Sequence, residues 1–300
     1  MRKYLFMFIM VILGGLQCFS QDSFRFYHIY TKGYRVKAIY RDTNNIMWVG
    51  TSFGLFTLPQ LESRNPNGYN RQHPDMQTGI DGIYEDMNGR LWLNTHSRQV
   101  IRYNPHNNQF TPDIDRVLGG FNIHVVNKDL FVNIKDNNCL TWQGNKLYYI
   151  NLNHKNVQKL LFDTTDEQVV NVISNQQSYI VLTTRHLYFF SSMTKELMRK
   201  APLVNEVSTF LFPMVADDKG NVWISDDRHV RQYDYNNQSW TTSMEFPSTV
   251  STIECGPDGH LWIGLENDGI YICDMKLNMQ QHLTHHAGDV NGSLDRKSVE

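Results

Sequence analysis

Residues able to do chemistry are sparse in this 300-residue chain, and most sit in turn-like contexts. Four stretches stand out: His96-Ser97-Arg98, Arg185-His186, Asp226-Asp227-Arg228 and Glu266-Asn267-Asp268. Guanidinium, imidazole and carboxylate groups side by side offer charge-assisted and bidentate hydrogen bonds, which suit sugar hydroxyls and carboxylates. The carboxylate neighbours Asp217-Asp218, Asp226-Asp227 and Glu266 with Asp268 are of the acid types that glycoside hydrolysis uses. That chemistry needs two carboxyls about 5–9.5 Å apart across the scissile bond, whereas Asp at a turn ordinarily serves the backbone. His282, His285 and His286 form H-x-x-H-H, with no further ligand apparent for a closed zinc site. There is no nucleophile elbow, phosphate-cradling glycine loop or spaced metal box. The expectation is a binding protein, not an enzyme, with no catalytic residue, cofactor or metal.

Composition narrows the partners. A net charge of -2 and a pI near 6.6 give no polyanion-binding signature, so nucleic acid is not expected as a partner. Charged residues are only 19% while aromatics reach 12%, which favours an ordered β-rich domain over disorder. Residues 1–20 read as a signal peptide: Arg2 and Lys3, an apolar run from Leu5 to Leu16, then Cys18-Phe19-Ser20 before Gln21. A periplasmic location follows as an expectation. No later stretch reaches eighteen apolar residues. Beyond the signal remain Cys139, Cys255 and Cys273. Cys255 and Cys273 fall on the first and third strands of one repeat, about 9–10 Å apart, too far for a disulfide.

The elements that must position these residues come from a repeat. Its copies begin at Asp42, Asp86, Asp217 and Gly256, and each places a Trp six residues on, at Trp48, Trp92, Trp223 and Trp262. Gly50, Gly89, Gly220, Gly259 and Gly264 mark turns or close approaches within them. In the second copy, Ile80–Tyr84, Leu91–Leu93, Val100–Tyr103 and a strand around Phe110 alternate with turns, and Asn88-Gly89 suits a two-residue hairpin. The gap from Trp92 to Trp223 holds two decayed copies. One reads Asn122–Asn127, Lys128-Asp129, then Leu130–Asn133. The other reads Val169–Ile173, Asn175–Gln177, Tyr179–Leu182, then Leu187–Phe190. A period of about 40–45 residues with four strands per copy points to an all-β propeller, with the Trp packing between blades. Six blades are expected near 34–75, 76–115, 116–160, 165–203, 208–245 and 248–284.

Val36-Lys-Ala-Ile39-Tyr-Arg-Asp42, Met47-Trp-Val-Gly-Thr51 and Gly54-Leu55-Phe56 resemble the two-component regulator propeller phrase V-x-x-I-x-x-D-x-x-G-x-L-W-I-G-T-x-x-G-L. The resemblance is strong in copies one, two, five and six and weak in three and four. It implies the periplasmic sensor half of a hybrid two-component sensor of the kind abundant in glycan-degrading Bacteroidota. The implied ligand is a glycan-derived oligosaccharide. The implied partners are further propeller blades, a kinase region and a second copy of the chain as homodimer. Phe24–Ile29 resembles a ring-closing strand. Residues 285–300 resemble an inter-blade linker followed by the opening of a seventh blade, interrupted at Val299, so the chain reads as an N-terminal fragment. A closed six-bladed ring with residues 283–300 as a tail is the alternative. Where the family has Gly-Gly in the loop between second and third strands, this chain has His96-Ser97-Arg98 and Asp227-Arg228-His229. Such loops are the expected ligand face, comprising His96, Arg98, Arg185, His186, Asp226, Asp227, Arg228, Glu266 and Asp268. A secreted propeller enzyme acting on carbohydrate and a stand-alone interaction scaffold remain open, since fold does not decide function.

Overall fold

A computed structural model describes residues 35–58, 69, 78–97, 100–111, 130–133, 138–151, 153–161, 165–207, 213–256 and 258–284. Runs of β-branched and aromatic residues between Asp, Asn and Gly turns fold here as antiparallel hairpins. Six sheets result. The first holds β1 (Val36–Arg41), β2 (Met47–Thr51) and β3 (Gly54–Thr57), and the second β4 (Ile80–Glu85), β5 (Leu91–Thr95), β6 (Val100–Asn104) and β7 (Gln109–Thr111). The third holds β8 (Leu130–Asn133), β9 (Asn138–Gln143), β10 (Lys146–Asn151) and β11 (Asn156–Leu161), and the fourth β12 (Val169–Ser174), β13 (Ser178–Thr183), β14 (His186–Ser191) and β15 (Leu197–Pro202). The fifth holds β16 (Met214–Ala216), β17 (Val222–Asp226), β18 (His229–Asp234) and β19 (Ser239–Glu245), and the sixth β20 (Val250–Cys255), β21 (Leu261–Leu265), β22 (Ile270–Cys273) and β23 (Met279–Leu283). The first strands of successive sheets pack on one another, β1 on β4, β4 on β8, β8 on β12, β12 on β16 and β16 on β20. They line a common axis, and each blade then steps outward in chain order. The molecule is a six-bladed β-propeller of four-stranded blades, with three strands of the first among the described residues.

The core lies between blades. Trp48 shares a buried cluster with Ile80, Ile83, Leu91 and Leu93 of the second blade, and Trp223 shares one with Val250, Ile253, Leu261 and Ile263 of the sixth. The spacing of six has a hydrogen-bond cause. Trp48 Nε1 donates to Asp42 Oδ2 at 2.8 Å, and Trp92 Nε1 donates to Asp86 Oδ2 at 2.9 Å, with all four residues buried. The other carboxylate oxygen gathers turn amides: Asp42 Oδ1 accepts from Ile46 N at 2.7 Å, and Asp86 Oδ1 from Asn88 N at 2.8 Å and Arg90 N at 3.2 Å. The turn therefore spans 86–90, longer than the two-residue hairpin expected, with Asp86 N donating to Arg90 O at 2.9 Å. Gly89 is left-handed at φ 69, and Asn45 holds the same place in the first copy at φ 68. Gly50 serves another need: a Cβ there would lie 2.7 Å from Ile80 O, so its absence sets how closely β2 approaches β4.

The later copies depart from this pattern. In the fifth blade Asn221 Nδ2 takes Asp217 Oδ2 at 2.8 Å, and Trp223 Nε1 is buried with no partner among the described residues. In the sixth, Gly256 stands where the Asp would, and a Cβ there would meet Trp262 Nε1 at 2.7 Å. In the fourth, the pairing of Ile173 with Ile180 matches that of Tyr40 with Trp48, so Ile180 fills the Trp slot. The third blade corrects the sequence reading. Leu130–Asn133 is its first strand, not its second, and pairs with β9. The hairpin of β9 and β10 turns at Gly144, whose φ is 59, and Lys128-Asp129 lies outside the described residues. Ile39, at the register place of Ile83 and Ile253, is 65% exposed where those are 5% and 3%. That face of the first blade is not covered as the inner junctions are. Residues 1–20, 24–29 and 285–300 lie outside the described residues, as do Asn122–Asn127. Among the described residues no helix is long and apolar enough to cross a membrane.

Among the described residues Cys139, Cys255 and Cys273 are free thiols. Cys255 and Cys273 flank Leu261 on neighbouring ladders, so two strand spacings separate them. Burial pushes both thiols up to about 11 and that of Cys139 well above its usual value.

Two expectations follow from these cores. Asp42→Ala strands the buried Trp48 indole N–H and should cost about 1–3 kcal/mol, whereas Trp223→Phe should cost about 1 kcal/mol less than Trp48→Phe because Trp223 has no such bond to lose, both read from urea unfolding. At pH 8 the thiols should react slowly with iodoacetamide in the folded chain and rapidly in 6–8 M urea. Folded thiols keep protons that unfolded ones release, so stability should fall as pH rises from about 9 to about 11.

Candidate functional site

In the first, second, fourth and sixth blades the loop between second and third strands is tied to the segment entering its own blade, whereas in the third Gly144 O accepts from Val169 N of the next blade at 2.8 Å. Ser52 N donates to Arg35 O at 2.8 Å, His96 N to Gly79 O at 2.8 Å, Thr184 N to Gln168 O at 2.9 Å and Glu266 N to Thr249 O at 2.9 Å. The loops thus share the face on which the first strands begin, opposite the Asp–Trp turns. Their shape comes from small hydrogen-bonding residues. Thr51 Oγ1 donates to Gly54 O at 3.1 Å and accepts from Phe53 N at 3.1 Å; in the fourth blade Thr183 Oγ1 sits 3.0 Å from His186 O and accepts from His186 N at 2.9 Å.

On this frame the side chains singled out from sequence are engaged locally. In the second blade, exposed His96 places Nδ1 3.4 Å from Asp81 Oδ2, and Arg98 lies outside the described residues. In the fourth, Arg185 Nε is 2.9 Å from Glu206 Oε1 and His186 Nδ1 is 2.8 Å from Glu167 Oε1. In the fifth, Arg228 pairs with Glu245, which also lies 3.7 Å from His229 Nε2. The Arg228 guanidinium holds the Glu245 carboxyl below its usual range. Asp227 is left-handed at φ 56. Its Oδ1 accepts from Thr249 Oγ1 at 2.8 Å and its carbonyl from Val250 N at 2.8 Å, which anchors the entry to the sixth blade. Asp226 closes β17, partly buried. In the sixth, Glu266 is exposed and Asp268 Oδ2 accepts from Tyr271 OH at 2.8 Å. Burial first, then Asp268, pushes the Tyr271 hydroxyl up to about 12. His282 is not a linker residue, as its motif suggested: it lies on β23, stacked 3.9 Å from the Tyr271 ring, with Nε2 2.7 Å from Asp268 O. His285 and His286 lie outside the described residues. Among the described residues no three His, Cys, Asp or Glu gather as a metal site.

The sequence reading missed the partners. Glu167 is 2% exposed and accepts from Thr183 Oγ1 at 2.6 Å and from Tyr188 OH at 3.1 Å on each oxygen. Lys200 Nζ lies 3.6 Å from Glu167 Oε1 and 5.1 Å over the Tyr188 ring. The Tyr188 hydroxyl, aided by the Glu167 charge and opposed by partial burial, holds the Lys200 ammonium above its ordinary value. The available signal was the strand register: Tyr188 pairs with Lys200 across β14 and β15, two residues along from His186. Glu206→Gln removes one partner of an exposed pair and should change stability by less than about 1 kcal/mol. Glu167→Ala takes the acceptor from the Thr183 and Tyr188 hydroxyls and the carboxylate from beside Lys200, and should cost about 1–3 kcal/mol in the same urea titration.

The fold defines the class as a β-propeller, and the comparisons show what it resembles. Residues 32–53 match the two component regulator propeller model, so the first blade carries a repeat of that kind. No curated protein matches the chain. Two solved structures of the extracellular domain of BT4673 from B. thetaiotaomicron superpose with TM-scores of 0.71 and 0.70 at 17% identity. They are described as parts of a one component and of a hybrid two component system, respectively. They cover 93% and 91% of this chain, and the matched region is 37% and 36% of theirs. The extracellular domain of the BT3049 hybrid two component system from the same organism gives 0.62 at 19% identity, over 88% of this chain and 36% of that one. The chain thus spans little more than a third of the length of these structures.

Proposed function

We propose that this chain is a ligand-sensing propeller region of a hybrid two-component signalling system, working outside the cytoplasm. It binds glycan-derived saccharides rather than turning them over. The observation that carries the reading is the two component regulator propeller match at residues 32–53, set in a propeller that resembles extracellular domains of such systems. Signalling then works by population shift: a ligand biases the receptor only by binding one arrangement of its domains better than another. Kinase-bearing regions and further blades are the partners this requires, with a second copy as the natural dimer mate. The loop face supports a saccharide as ligand. It carries amide, hydroxyl, imidazole and carboxylate groups, and its described arginines Arg185 and Arg228 are already matched by Glu206 and Glu245.

The test is a thermal-shift screen of the full chain against enzymatic digests of plant and host polysaccharides. A digest that binds the folded state near 100-fold above its Kd should raise Tm by about 5 °C or more. No shift with any digest, at concentrations up to the millimolar range, counts against a saccharide ligand.

A further inference from the structure

Two buried side chains on neighbouring blades carry polar atoms that no described residue answers. Asn94 is 2% exposed and Thr141 is 0% exposed. Among the described residues neither Nδ2 nor Oδ1 of Asn94 has a hydrogen-bond partner, and neither does Thr141 Oγ1. Strand alternation shows where each side chain points. On β5, Leu91 and Leu93 pack with Trp48 of the first blade, so Trp92 and Asn94 face the third. On β9, Leu140 and Trp142 pack with Val169, Val172 and Tyr179 of the fourth blade, so Thr141 faces the second. Both polar side chains therefore enter one junction, from opposite sides.

The strand register shows that the repeat requires neither group. Thr141 holds the place of Val49, Leu93, Val181, Ile224 and Ile263 in the other blades, each paired in the same way with its third strand. All five are buried aliphatic residues, and only the third blade sets a hydroxyl there. A buried hydroxyl without a partner is a penalty that valine would avoid. Asn94 holds the place of Gly50 and Gly264. Opposite it on the first strand stands Gly82, where the first and sixth blades have Ala38 and Thr252. A Cβ at Gly82 would lie 3.4 Å from Asn94 Cβ and 3.5 Å from Nδ2, so the missing methyl leaves room beside the amide. Ser225, at the same place in the fifth blade, turns its hydroxyl to Asp227 O at 3.2 Å. Asn94 has no such carbonyl among the described residues. The hydroxyl in the aliphatic row and the carboxamide in the glycine place thus belong to the same junction.

We propose that the junction of the second and third blades is a binding site for internal water, held by the Asn94 carboxamide from one side and the Thr141 hydroxyl from the other. Water fits the chemistry that these groups present. The amide both donates and accepts, and so does the hydroxyl. Both are neutral, so they suit a small neutral molecule that donates and accepts at once rather than an ion. Buried waters typically make about three hydrogen bonds to polar groups that the chain leaves unpaired. The first and second blades are joined directly, with Glu85 accepting from Thr43 N at 2.9 Å and Thr43 Oγ1 at 2.6 Å. Between the second and third, water makes the polar link, whatever ligand the loop face takes.

A crystal structure of the full chain, at a resolution that orders internal water, should place a water oxygen within hydrogen-bond distance of the Asn94 amide. The same water, or one bonded to it, should reach Thr141 Oγ1. A protein group bonded to the Asn94 amide in that map overturns the proposal, and so does apolar packing closed over Thr141 Oγ1. The water should persist in the map of Thr141→Ser, which keeps the hydroxyl, and be lost or displaced in that of Thr141→Val. Melting gives a second reading. With water bridging the blades, Thr141→Val removes one of its holders and should lower Tm by about 2 °C or more. Asn94→Leu should lower it too, and the double variant should lose less than the sum, because both groups act through the same water. Without water, valine only removes an unpaired hydroxyl. An unchanged or raised Tm for Thr141→Val therefore overturns the site, as does strict additivity of the two losses.

Discussion

An indole N–H aimed at a carboxylate six residues upstream is the constraint on which the first two blades depend. In Asp42–Trp48 and Asp86–Trp92 one carboxylate does two jobs. One oxygen collects the amides of the first hairpin turn, and the other takes the indole nitrogen. Burying Asp is costly without such donors, and burying Trp leaves its N–H in need of an acceptor. Each group removes the other's penalty. The bond also fixes the direction of the indole, whose rings go between this blade and the next, so a local turn decides a long-range contact.

Much of the fold was legible because that constraint repeats. Strand and turn chemistry is local, and the Trp marks its phase even where strands are short. Legibility failed where the marker was lost. In the third blade the Trp at the repeat spacing is lost, Leu140 packs against the fourth blade instead, and without the marker Leu130–Asn133 reads as a second strand where it is the first. The fourth blade was easier although it also lacks Trp. Ile180 fills the same slot as a buried apolar residue, and the alternation of its strands is intact.

The loop face was legible only in outline. Sequence exposes His186 and Arg185 because both stand where a turn would accept glycine or serine. It hides Glu167, nineteen positions upstream of His186, because partners across a blade depend on the register of two strand pairs and the path of an entry segment. The same holds for Asp81 with His96 and for Glu245 with Arg228. Isolated polar residues at turns thus understated how far their charges are already answered within the fold.

The two faces of the propeller invest charge differently. On the face of the Asp–Trp turns, Glu85 of the second blade accepts from Thr43 N at 2.9 Å, Thr43 Oγ1 at 2.6 Å and Tyr40 OH at 3.3 Å, all from the first blade. Those bonds join neighbours, so altering them disturbs the ring. On the opposite face, Glu167 with His186 and Lys200, and Arg228 with Glu245, are closed within single blades. Such pairs can vary from blade to blade without disturbing a junction. A scaffold of repeats can therefore hold its architecture on one face while varying its charge pairs on the other, and among the described residues the fourth blade places a carboxylate that is 2% exposed on that variable face.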